Sequence, residues 1–301
     1  MSFKRIKTNF IVLLAKILMK MPLPFILALG YFVGWLFWLI PNKRKKIAHR
    51  NIELCFPDLS FKDRKKLLKQ NLISNGKGLL ETIYAYWGKT EKITERVEFS
   101  GLDVIEKALS EENGCLLISC HLHPMELVIR AINNTLSKPG HMLARQHNNK
   151  IFEEHVDIAR RTHCKKTIDK KDMKNVLKSL KNNYPVYFFP DQNFSYQFEY
   201  INFFGVPAAT VTGLARLAKS TNVPVIPWFG FRRKDSNGKT IYHVDVLPPL
   251  GIFQGDDIKE NLLKLNQLFE QQIKKHPEHY LWVHRRFKNH PKGRNYLYKN
   301  L

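Results

Sequence analysis

Apolar and polar positions along the chain separate a membrane-facing front from a mixed domain. From Leu23 to Ile40 there are 18 residues without a charge, "LPFILALGYFVGWLFWLI". As a helix rising about 1.5 Å per residue this stretch spans roughly 27 Å, just short of a hydrocarbon core of about 30 Å. Tyr31, Trp35 and Trp38 suit an interfacial aromatic belt, and Lys43, Arg44, Lys45 and Lys46 follow as a basic collar. Upstream, Phe10 to Met19 is apolar but carries Lys16, and Pro22 and Pro24 break it from the longer apolar run, so it reads as an interfacial helix. A cleaved signal peptide fits poorly, because no small-residue cleavage site is present and the basic cluster follows the apolar run. A buried hydrophobic helical hairpin is the competing reading. With the denser basic block after the span, the main domain is expected on the cytoplasmic side. Residues 1–42 are therefore read as an anchor and 43–301 as the working domain.

Within the second segment, Phe61 to Tyr86 has helical spacing, with Leu67, Leu68, Leu72, Leu79, Leu80 and Ile83 among polar positions. "CLLISC" (Cys115 to Cys120), "PVYFFP" (Pro185 to Pro190) and "VPVIPWFGF" (Val223 to Phe231) are short apolar runs that read as buried strands. "TIYHVDVLPPL" should pair with the last of these across the "KDSNGK" turn. Helical spacing resumes over Met125 to Ile132, with Pro124 in the first turn, and over Ile258 to Ile273. A helix is expected to begin near Thr210. Helices alternating with buried strands predict an α/β fold with a mixed, largely parallel central sheet flanked by helices.

Charge changes the picture more than composition does. The 301 residues include 49 Lys+Arg against 26 Asp+Glu, a net charge of +23. That exceeds what solubility requires and points to acidic partners: nucleic acid, an anionic membrane, phosphorylated substrates or an acidic protein. No RNP, zinc-finger or helix-turn-helix pattern supports nucleic acid. Cys55, Cys115, Cys120 and Cys164 form no CxxC pair and no metal-ligand spacing, so free thiols and no metal are expected. The absence of GxGxxG, Walker and G-x-S-x-G patterns argues against nucleotide and Ser-hydrolase chemistry.

Three stretches carry candidate chemistry. In "SCHLHPMELV", His121 ends a buried strand, where ligand crevices form in open α/β sheets, and Glu126 follows five residues later. A carboxylate on one ring nitrogen fixes the tautomer of a histidine and leaves the other nitrogen to act as a base. Spacing alone does not separate His121 from His123, which also reads as a polar turn residue. In "FFPDQNF…FFGVPAATVTG", Asp191 and Gln192 follow a strand, and Gly205 and Thr210 are placed at a helix start where an anion could bind. In "YLWVHRRFK", Arg285 and Arg286 offer forks for phosphate or carboxylate.

Taken together and in order, "HLHPME", "FPDQNF…FFGVPAATVTG" and "YLWVHRRFK", with "RNIELCFPDLS" and "NGKGLLE", resemble the late acyltransferases of lipid A biosynthesis, the lauroyl/myristoyl family of Gram-negative bacteria. The resemblance covers most of the chain. It implies a glycerolphosphate-acyltransferase-like fold and an inner-membrane enzyme with its catalytic domain on the cytoplasmic face. Such an enzyme moves a fatty acyl chain from acyl carrier protein to a 3-hydroxyacyl chain of a Kdo-bearing lipid A precursor, without a cofactor. His121 falls on the family's catalytic histidine and Glu126 on its acid partner. Arg145 matches an arginine of the next block, expected at the oxyanion or a substrate phosphate, and Asp191 matches an aspartate expected to hold Arg145 or the site loops. Gln192, Gly205, Thr210, Arg285 and Arg286 are expected to bind substrate. His123 and Pro124 depart from what that element holds in the family. Alternatives are acylation of glycerol phosphate or another glycolipid, a thioesterase using the same residues on water, and a non-enzymatic basic membrane- or nucleic-acid-binding protein.

Overall fold

The computed structural model describes residues 3–254, 257–299 and 301. In chain order the helical front comprises α1 (Phe3–Leu18), α2 (Leu23–Leu39), α3 (Lys43–Cys55), α4 (Phe61–Trp87) and α5 (Thr90–Thr94). Strands and helices then alternate as β1 (Val97–Ser100), α6 (Asp103–Ser110), β2 (Cys115–Ile118), α7 (Met125–Thr135), β3 (His141–Ala144), α8 (Lys150–Arg160), β4 (Lys166–Asp169), α9 (Met173–Lys181) and β5 (Pro185–Phe188). A hairpin of β6 (Phe198–Phe203) and β7 (Val206–Val211) precedes α10 (Gly213–Thr221), β8 (Val225–Lys234), β9 (Thr240–Val246) and α11 (Ile258–Lys275).

Seven strands form one sheet in the order β1-β9-β8-β2-β5-β3-β4, and only the β8/β9 pair is antiparallel. This is the largely parallel α/β architecture that the alternating pattern predicts. β2 and β5 lie inside the sheet and are buried at every position, which is why they read as continuous apolar runs. β3 and β4 are short and escape that pattern; β4 is fully buried only at Ile168 and leaves Lys166 and Asp169 exposed. The helix expected near Thr210 begins instead at Gly213; Val206–Val211 is a strand paired in register with Phe198–Phe203. Its valines and threonine suit a sheet position, and pairing with β6 decides the outcome.

The front helices pack onto this body. Gly30 and Gly34 of α2 meet Gly76 of α4 backbone to backbone. A Cβ on Gly34 would lie 2.4 Å from the Ile73 Cα, and one on Gly76 would lie 2.3 Å from the Gly34 nitrogen. α1 is tied to α8, where Asn149 donates to the Thr8 hydroxyl at 3.1 Å and His155 meets the Asn9 amide oxygen at 3.0 Å. The outer faces stay apolar and exposed: Phe3, Ile6, Phe10 and Leu14 on α1, Phe25, Phe32 and Leu39 on α2. Among the described residues no single helix is long and apolar enough to cross a membrane. α2 with α3 reaches the required length and composition, but the pair is bent by 84°.

Candidate active site

Parallel pairing of β2 with β5 assembles the centre. Ile118 is in register with Phe188, so the residues three positions beyond each, His121 and Asp191, leave the sheet side by side at its carboxyl edge. Asp191 grips His121 twice. One carboxylate oxygen lies 2.6 Å from the ring Nδ1, and the other accepts the His121 backbone N–H at 2.9 Å. A carboxylate can only accept, so Nδ1 carries the proton, and in the neutral ring Nε2 keeps its lone pair. That lone pair meets the Gln192 side-chain amide nitrogen at 3.1 Å, which donates to it. The Asp191 side chain is 1% exposed and that of His121 is 21% exposed, so the carboxylate is sealed and the imidazole is open to a cavity. Burial alone would raise the Asp191 pKa. The two N–H donors of His121 and their electrostatic pull, with the nearby Arg286 guanidinium, overcome it and hold the carboxyl below its ordinary value.

This corrects two expected partnerships. Glu126, in the first turn of α7, is not bonded to His121 and is buried against Arg160 at the end of α8. Arg160 donates from Nε to Glu126 at 2.7 Å and from Nη2 to the Tyr86 hydroxyl at 3.0 Å. Asp191, expected on Arg145 or the site loops, holds His121. Five residues cover a strand-to-helix turn, and α7 rotates Glu126 toward α8, whereas the parallel register delivers Asp191 directly. Burial would lower the Arg160 pKa, but Glu126 and Tyr86 outweigh it and keep the guanidinium charged. Among the described residues its buried Nη1 has no hydrogen-bond partner, and the residue lines the wall of the cavity. Arg160 was missed by sequence reasoning because "IARRTHCKK" looks like the basic end of an ordinary amphipathic helix.

The cavity encloses about 800 Å³. His121, Gln192, Glu126 and Arg160 line it together with an apolar wall that includes Met125, Met142 and Phe188. Arg145, Lys170 and Lys171 stand at its more exposed rim. Among the described residues the one hydrogen bond of Arg145 is a long one to the Asn148 amide oxygen, at 3.5 Å, which leaves most of its fork free.

His123 belongs elsewhere. Its ring packs where a Cβ on Gly78 would approach within 2.3 Å of Nδ1, and its backbone N–H donates to the His279 carbonyl at 2.9 Å. Burial, with Arg232 nearby, pushes its pKa down to about 4. The remaining expected substrate contacts divide. Thr210 is fully buried on β7 and accepts from Arg286 Nη2 at 2.8 Å, while Arg286 Nη1 donates to the Ala209 carbonyl at 2.7 Å and the Gln192 carbonyl at 3.3 Å. These two residues staple the Gln192 loop to the hairpin and do not face the cavity. Gly205, at φ +74° in the hairpin tip, would present a Cβ to open space, with no atom within 4 Å, and also lies outside the cavity lining. Arg285 remains accessible in a separate basic pocket with Lys288.

All four cysteines are buried and free, and burial raises their pKa values, so none offers a thiolate. His276, Glu278 and His279 lie close enough to share a cation. However, Arg232 Nη1 stands 3.4 Å from His279 Nε2, and its charge opposes a metal there.

A sequence profile of the bacterial lipid A biosynthesis acyltransferases matches residues 3–289. The chain is 32% identical over 279 residues to the lipid A biosynthesis lauroyltransferase of Escherichia coli K12, covering 92% of this chain and 90% of that protein. It is 31% identical to a lipid A biosynthesis acyltransferase of Haemophilus influenzae, covering 90% and 86%. With the lipid A biosynthesis palmitoleoyltransferase of E. coli K12 it shares 28% identity over 93% of this chain and 90% of that protein. An end-to-end match of this kind, over a sheet whose edge presents a carboxylate-held histidine to a large cavity, leaves one conclusion: the chain is an acyltransferase and belongs to the bacterial lipid A biosynthesis acyltransferase family.

Proposed function

We propose that this enzyme transfers a fatty acyl chain from acyl carrier protein to the hydroxyl of a 3-hydroxyacyl chain on a Kdo-bearing lipid A precursor, at the cytoplasmic face of the inner membrane. The observation carrying this reading is the Asp191–His121 pair, whose unprotonated Nε2 borders an 800 Å³ cavity with an apolar wall and a basic rim. The acceptor hydroxyl replaces the Gln192 amide at Nε2 and gives up its proton as its oxygen attacks the thioester carbonyl. Asp191 orients the ring and stabilises the imidazolium that forms. Arg160, with the two N–H donors of Nη1 unused and its charge fixed by Glu126, is the candidate to stabilise the oxyanion, and Arg145 at the rim is suited to a phosphate. Collapse of the tetrahedral intermediate forms the new ester and expels the thiolate, which recovers the proton from His121. The reaction requires no metal or nucleotide in this scheme.

The +23 chain suits an anionic carrier and an anionic lipid. The exposed apolar faces of α1 and α2, beside the basic collar, support residues 1–42 as the membrane-seating part and 43–301 as the catalytic part. With one face of α2 committed to α4, insertion into one leaflet accounts for these faces better than an isolated span. The test is transfer from acyl carrier protein thioester to the lipid precursor by purified His121→Ala and His123→Ala. The first should lose about 10²–10⁴-fold in rate and the second little. Equal losses would move the base to His123, and fatty acid release without acceptor turnover would indicate a thioesterase.

A further inference from the structure

Apart from the catalytic cavity there is a second pocket of about 430 Å³, to which the reaction above assigns no role. Lys43 and Arg44, from the start of α3, form one side; Arg285 and Lys288, from the C-terminal segment, form the other; Asn193 and Ser195 of the active-site loop close it. Among the described residues no carboxylate pairs with any of these four cations. Their fixed contacts are to neutral groups: Arg44 donates to the Val283 carbonyl at 3.0 Å, and Arg285 donates to the Asn295 amide oxygen at 3.3 Å. Four like charges gathered around a concavity repel one another, and without a counter-charge they are stabilised by an anion that fills it.

The pocket shares a loop with the reacting atoms. Asn193 donates its backbone N–H to His284 Nε2 at 3.2 Å, and its side-chain oxygen accepts the Asn289 backbone N–H at 2.8 Å. The preceding residues are Gln192, on His121 Nε2, and Asp191, on Nδ1. Lys43 and Arg44, on the opposite side, follow directly on α2, where the exposed apolar face ends and the basic collar begins. An amphiphile whose chain reaches the catalytic cavity would leave its head at this level.

We propose that the Lys43–Arg44–Arg285–Lys288 pocket is a subsite for an acidic group, phosphate or sugar-acid carboxylate, on the headgroup of the acceptor lipid. The inference rests on the acyl-transfer reading above and adds how the acceptor is held. Arginine forks grip such tetrahedral or planar anions bidentately, while the lysines supply mobile charge.

The test uses the full-length enzyme in neutral detergent micelles. It compares Arg285→Gln/Lys288→Gln and Lys43→Gln/Arg44→Gln, pairs drawn from opposite walls, with melting curves to check folding. Each pair should raise KM for the anionic acceptor on the order of tenfold or more, while KM for the acyl carrier protein thioester stays near wild type. The defect should shrink for an acceptor lacking phosphate or for one lacking the sugar acid, and the removal that erases it names the group bound. A KM rise that persists when both acids are removed, a rise in donor KM instead, or unchanged kinetics would overturn the proposal. So would a loss of binding to acidic phospholipid vesicles with acceptor KM unchanged, since that assigns the charges to bulk membrane. Binding of the acceptor without donor separates the two readings. If wild type binds the anionic lipid, loses it in both variants, and yet transfers no acyl group, the reaction assignment fails and the subsite stands.

Discussion

Replacing Asp191 with asparagine discriminates most sharply between the two carboxylates near His121. The aspartate accepts from both donors of one residue, the ring Nδ1–H at 2.6 Å and the backbone N–H at 2.9 Å. Asparagine keeps the shape but offers one acceptor and one NH₂. If its oxygen serves the backbone N–H, the NH₂ faces Nδ1 and forces the proton onto Nε2, and Gln192 can flip to accept it. On the proposed mechanism the base is then disabled, with an expected loss in kcat between about 10²- and 10⁴-fold. If the oxygen serves Nδ1 instead, the His121 backbone N–H faces an NH₂. An unsatisfied buried N–H costs about 1–3 kcal/mol. The activity loss is then smaller and appears as lower stability.

Steady-state transfer from acyl carrier protein thioester, with the imidazole ¹⁵N spectrum of His121 as the tautomer readout, tests both branches. The loss in kcat should accompany a switch from the Nδ1–H to the Nε2–H form. Retention of more than about a tenth of the wild-type rate, with the tautomer switched, would refute the argument, given the size of base catalysis. Such a result would leave Glu126 as the acid partner after a rearrangement on substrate binding.

Glu126→Gln should behave differently. It leaves the Arg160 charge buried with no counter-charge, which costs about 3–5 kcal/mol, so urea unfolding should show a clear loss while the His121 tautomer is preserved; a stability change under about 1 kcal/mol would contradict the pairing. Gly34→Leu places side-chain carbon where a Cβ already sits 2.4 Å from the Ile73 Cα, so α2 must lift from α4. A lower melting temperature is expected, and an unchanged one would mean that this contact does not hold the front helices. Stability should also fall on acidification below about pH 6.5, the ordinary histidine value. Burial holds His163 down to about 3, with Arg130 and Arg160 nearby, His279 to about 2, with Arg232 nearby, and His141 to about 4, with Lys166 nearby. The fold keeps these rings neutral while the unfolded chain takes up protons, so their contribution is full above about pH 6.5 and drains away below it. At about pH 5 His163 and His279 each cost about 2 kcal/mol and His141 less, and chemical denaturation at about pH 7.5 and about pH 5 that gave equal stabilities would disprove this linkage.

Much was legible along the chain. Apolar runs marked β2, β5 and β8 because interior parallel strands are covered on both faces, and the turn before "TIYHVDV" announced the single antiparallel pair of the main sheet. The strand-end position of His121 and of "PDQ" was readable for the same reason. β3 and β4 were not, since four residues of mixed burial leave no periodicity to detect. The helical expectation at Thr210 failed because β6, a partner beyond the reach of any local pattern, supplies the hydrogen bonds.

The sequence by itself determined the α/β class, the strongly basic charge, the apolar front, and the residue types from which a base and its acid could be drawn. Only the tertiary structure decided the pairings among them. Glu126 is five residues from His121 and Asp191 is seventy, yet register between adjacent parallel strands brings Asp191 to the ring at 2.6 Å, while the turn of α7 carries Glu126 to Arg160. Nearness along a chain orients side chains only through the local backbone, and a sheet aligns distant segments to within a hydrogen bond.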